Sequence, residues 1–94
     1  MSEPEPELTS EQLIDELKKL KVSDLLVSTI TTLAQLAYAK LEESSRDLEQ
    51  AQLAIDSIQV LLPKLEGHVP AELSRDLGQM VTNLQLAYAK AATS

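Results

Sequence analysis

An all-α fold follows from three features of the sequence. Three long runs space their apolar residues three and four apart, which gathers them on one side of a helix. Thr9, Ser23, Asp47 and Pro70 stand where helices start. The chain also lacks tryptophan and phenylalanine, so its core must come from Leu, Ile, Val and Ala with help from Tyr38 and Tyr88, a set that suits close-packed helices. The expected architecture is a three-helix core at about 22–43, 47–65 and 70–92, within a domain of residues 22–94. An amphipathic arm at 8–21, with its helix at about 9–20, precedes it, and a disordered acidic tail at 1–7 precedes the arm.

The tail, MSEPEPE, combines glutamates with prolines and offers nothing to bury. Such a stretch stays solvated, or serves as an acidic lure for a basic partner. Thr9 and Gln12 then form a capping box, and Leu8 is placed to pack on Leu13. The arm carries Leu13, Ile14, Leu17 and Leu20 on one side and Glu11, Asp15, Lys18 and Lys19 on the other. At about three turns it is marginal alone. It must dock on the core, swap onto a neighbouring copy, or recognise another protein.

Ser23 is the expected cap of the second helix, with Asp24 at the positive end and Val22 stapled against Val27. From Val22 to Leu41 its apolar residues cover roughly 220° of the helical wheel, against the roughly 100° of a surface helix. More than one neighbour is expected. The polar side (Asp24, Ser28, Thr31, Thr32, Gln35) is mostly short and admits a close backbone. Glu42–Arg46 is the turn into the next helix, short enough to make the two antiparallel.

Asp47 caps the third helix, and Glu49 complements its dipole. Leu48, Ala51, Ala54, Ile55, Ile58, Leu61, Leu62 and Leu65 form one stripe, with Glu49, Gln52, Asp56 and Gln59 elsewhere. Pro63 removes a donor, so it kinks the helix or stops it early, and Gly67 closes the segment. Pro70 opens the last helix in its first turn. Its buried stripe is Leu73, Leu77, Met80, Val81, Leu84, Ala87, Tyr88 and Ala91, and Gly78 costs up to about 1 kcal/mol relative to alanine unless it permits close packing. The hexapeptide QLAYAK occurs at Gln35–Lys40 and at Gln85–Lys90, but the flanks agree poorly and Tyr38 lies at the margin of its arc, so it is a chance echo between two helix ends.

A chain of 94 residues holds one small domain. Without cysteine, and with His68 as its one histidine, no structural zinc site or disulfide staple is expected. A net charge of -7 excludes reliance on phosphate contacts, so no direct nucleic-acid binding is expected. No run approaches the roughly 18 apolar residues of a membrane span, and the acidic amino end lacks the features of a secretion signal. A cytoplasmic protein is expected.

From Asp47 onward, and less strongly from Val22, the chain resembles the small bacterial family catalogued as domain of unknown function 1844. The likeness rests on Asp47–Glu49, Ala51, Ile55 with Asp56, Ile58, Leu61, Lys64, Gly67, Leu84 and Tyr88, and on Leu25–Ser28, Thr32 and Leu36 earlier. It covers about three-quarters of the chain. Members often carry a histidine, leucine and glycine followed by a proline-rich loop, where this chain has Gln35, Leu36, Ala37 and a shorter polar turn. The resemblance implies a small helical protein without an assigned activity. Its actinobacterial members lie near translation genes, which implies a ribosome- or translation-associated accessory role as an alternative.

No chemistry emerges from the polar residues. His68 has no serine, cysteine or aspartate arrangement around it that would make a catalytic site. Asp15, Asp56 and Asp76 lie on polar faces of three helices, so a carboxylate metal site or small enzyme is the weakest alternative, and Asp56 is expected in a salt bridge or an interface. Neither a catalytic residue nor a cofactor is assigned. Apolar residues left over from the stripes say more. Leu53 and Val60 stand a heptad apart on the far side of their helix, and Leu86 is similarly misplaced on the last. With Leu13, Leu17 and Leu20 of the arm they are the candidate interface. A small aliphatic core gains by burying more surface against another copy, so the expected function is a non-catalytic interaction module, self-associating as a dimer or binding another protein.

Overall fold

The computed structural model describes residues 9–94, and these fold as four α-helices without a strand. α1 spans Ser10–Lys19, α2 Val22–Leu41, α3 Leu48–Leu61 and α4 Ala71–Ala92, with 3-10 turns at Glu43–Ser45 and Leu62–Leu65. The all-α expectation holds, with α2, α3 and α4 as the core. The acidic tail and the partner of Leu13 in the expected staple, Leu8, lie outside the described residues.

Each helix start has a local cause. The Thr9 hydroxyl accepts from the Gln12 amide at 3.1 Å while the Gln12 side chain accepts from the Thr9 amide at 3.0 Å, closing the capping box. Asp47 accepts from the Gln50 amide at 3.2 Å. Two starts differ from expectation. α2 starts at Val22, with Lys21 as its cap two residues before the expected Ser23 and no side chain bonded there, so Ser23 is inside the helix and not its cap. Val22 thereby becomes the first helical residue and is 73% exposed, instead of stapling onto Val27. Pro70 is the cap of α4 rather than its first residue, its carbonyl accepting from Ser74.

The ends follow from backbone chemistry. α2 stops at Leu41, two residues short of the expected Glu43, because Glu42 is extended, and Arg46 then donates from Nε and Nη2 to the Leu41 carbonyl, both at 3.3 Å. That pairs a carbonyl the helix itself leaves free. Pro63 has no amide to continue the α3 ladder, so the chain tightens from Leu62 into a 3-10 turn. Gly67 (φ +82°) then reverses the chain in a conformation that suits glycine.

One main core joins the three long helices. Ile30, Ala34 and Ala37 of α2 meet Ala54, Ile55 and Ile58 of α3, Leu65 of the 3-10 turn, and Leu77, Val81 and Leu84 of α4. A smaller cluster of Leu41, Ala51 and Ala91 seals the end beside Arg46. No polar side chain is buried among the described residues, so the core rests on apolar burial and shape. The α3 and α4 stripes are buried or half-buried as expected. α2 has more than one neighbour, as expected, yet its broad arc is buried only in part. Only Ile30, Ala34, Ala37 and Leu41 are buried there, while Val22, Leu25, Leu36 and Tyr38 lie outside, because α3, α4 and the turn between them cover one side of α2 only.

Candidate interaction surface

α1 touches none of this core. Leu20 and Lys21 are extended, and among the described residues α1 approaches no other element. The radius of gyration, 17.0 Å, accordingly exceeds the roughly 12 Å of a compact chain of this length. Leu13, Ile14, Leu17 and Leu20 are 48%, 50%, 56% and 61% exposed, so α1 holds together by its capping box and the exposed Lys19–Glu16 pair at 3.4 Å, with no burial to support it. Ten residues so held are marginal in water. Its apolar stripe is therefore a surface without a partner among the described residues.

The remaining candidates all lie on the outside of the core. Leu53 and Val60 are 58% and 64% exposed and point about 160° away from the buried stripe of α3. Leu53 borders a shallow hollow of about 400 Å³ shared with Glu49, Gln52, Asp56 and Tyr88. Leu86, 66% exposed, stands about 180° from the α4 stripe, among Thr82, Asn83 and Lys90. Residues on the backs of different helices face different ways, so the fold does not merge α1, Leu53 with Val60, and Leu86 into one patch.

Val22, Leu25 and Leu36 belong to the wide arc from which more than one neighbour of α2 was expected, and they form another exposed face, on α2. Their signal was present in the sequence. Together with Thr29, Thr32 and Ala39 they repeat at three- and four-residue steps, the spacing of a helix seam, whereas the buried residues of α2 lie about 140° away. An arc of roughly 220° is two stripes, one facing the protomer and one facing out.

The polar residues are spread. Asp15, Asp56 and Asp76 are exposed on three helices, and among the described residues no three metal-ligating side chains are grouped. Asp56 accepts a hydrogen bond from the Gln52 side chain at 2.7 Å in place of the expected salt bridge. His68 is exposed on the turn after Gly67, where its amide donates to the Leu65 carbonyl. The hollow of about 580 Å³ lined by Tyr38, Leu41, Arg46 and Lys90 holds Arg46, whose Nη1 donates to Ser94 Oγ at 3.0 Å while its other nitrogens cap α2. Among the described residues, no helix is long and apolar enough to cross a membrane. Comparisons with family models, curated proteins and solved structures give no match to this chain.

Proposed function

We propose that the protein is a non-catalytic helical interaction module of the cytoplasm that self-associates. One observation carries this reading: α1 is a formed, capped amphipathic helix whose apolar side chains Leu13, Ile14 and Leu17, with Leu20 just beyond it, are all near half exposed or more, with no other described element against them. A marginal helix gains stability by packing its apolar face, and a second copy is available to every molecule of the protein. The likeness of the Asp47–Tyr88 pattern to domain of unknown function 1844 supports grouping the chain with those small helical proteins.

The test removes the arm. A chain lacking residues 1–21 keeps the whole buried core and is expected to melt within a few degrees of the full chain while associating more weakly in sedimentation equilibrium. A truncated chain that fails to fold places α1 in the core and ends the reading of α1 as an arm. A full chain that stays monomeric at the highest concentration reached ends self-association.

A further inference from the structure

We propose that the protein pairs with a second copy of itself through the outer face of α2, the two helices antiparallel, in the register that sets Val22 against the partner's Ala39, Leu25 against the partner's Leu36, and Thr29 against the partner's Thr32. The inference rests on the self-association reading above and adds to the arm a second self-contact face, on α2. Val22, Leu25, Thr29, Thr32, Leu36 and Ala39 share about 100° of the α2 wheel, and all but the half-buried Thr29 are exposed, with no helix among the described residues laid over that face. Their spacing is a heptad seam over the full length of the helix. The seam also complements itself about a two-fold axis: valine meets alanine, leucine meets leucine, and the two threonines, the small central layer, let the backbones approach.

Charge selects this occupant. Lys21 immediately precedes α2 and Glu42 immediately follows it, each with the wrong sign for the dipole of its own helix. In the antiparallel register Lys21 stands beside the partner's Glu42 at the negative end of the partner's helix, and Glu42 beside the partner's Lys21 at the positive end. Two opposite-charge pairs and two favourable dipole contacts result, and the next flanking positions, Ser28 and the partner's Gln35, are uncharged. A parallel pair would set Lys21 level with the partner's Lys21 and Glu42 level with the partner's Glu42, and would form neither opposite-charge pair. The α3 face lacks this match, because the layers around Leu53 and Val60 are Glu49 and Asp56, carboxylates that a symmetric contact would bury. One helix face laid on another covers on the order of 800 Å², below the range of stable complexes, so the pair forms at micromolar and higher concentrations.

Sedimentation equilibrium of the full chain, from about 10 μM to about 1 mM, measures the dimer. Leu25→Glu with Leu36→Glu is expected to raise its Kd about a hundredfold or more with the circular dichroism unchanged. Leu53→Glu with Val60→Glu is expected to leave it within a few-fold. Register is read by Val22→Cys with Ala39→Cys in the otherwise cysteine-free chain. The two positions lie about 25 Å apart along one helix, too far for a disulfide within a chain. Oxidation should therefore give a covalent dimer from the double variant and little from either single one. That result remains readable even if the glutamate variant unfolds. A full chain that is monomeric throughout overturns self-association and the seam together. A dimer that ignores the Leu25 and Leu36 changes, or yields to the Leu53 and Val60 changes instead, overturns the seam alone. Cross-linking of the single variants makes the pair parallel and overturns the register.

Discussion

Ile58→Ala probes the core at its centre. Ile58 is 0% exposed in α3 and packs in the cluster with Ile30, Leu65 and Leu84. The substitution removes three carbons, a transfer loss of about 2.4 kcal/mol at about 0.8 per carbon. An incompletely relaxed cavity adds about 1–2 kcal/mol, for a total of roughly 3–4 kcal/mol. The packed segment Val22–Ala92 has a total stability of roughly 4–11 kcal/mol at the usual value per residue, so much of the margin is at stake. The melting temperature should fall by about 12–30 °C, followed by circular dichroism at one fixed protein concentration. Leu53→Ala is the matched control: at 58% exposure it should cost about 0.5 kcal/mol or less, a shift of a few degrees. If the two variants melt alike, Ile58 is not the packed centre of the domain and the faces of α3 are wrongly assigned.

Three further perturbations follow from the local structure. Asp47→Ala removes the acceptor for the Gln50 amide and should lower stability by about 1 kcal/mol in a urea titration, with Asp47→Asn recovering most of the loss. Gly67→Ala should cost about 1–2 kcal/mol in the same titration, entirely from its φ of +82°, since a Cβ there meets nothing within 4 Å; an unchanged midpoint would show that the turn relaxes. Arg46→Ala frees the Leu41 carbonyl and the Ser94 hydroxyl, so amides of the last turn of α4 should exchange faster, while those around Ile58 keep their protection relative to the global unfolding rate.

The sequence by itself determined the number and kind of helices and most of their boundaries, because those depend on contacts three or four residues apart. Thr9 with Gln12, Asp47, Pro63 and Gly67 each act on their own neighbours, and each acts in the structure as its chemistry requires. The start of α2 was less determinate. Ser23 is a good cap by type, yet the helix is capped two residues earlier, at Lys21, a local choice between nearby starts that composition does not resolve. The stripes of α3 and α4 were legible because each is one arc wide, and the residues left over from them, Leu53, Val60 and Leu86, are exposed in the fold. What only the tertiary structure decided is how the wide arc of α2 divides. Periodicity fixes the angle of a side chain about its own helix, but not which angles a neighbour occupies. α3 and α4 take the side of Ile30, Ala34 and Ala37, and Val22, Leu25 and Leu36 are left facing out because a three-helix core has no fourth element to set against them.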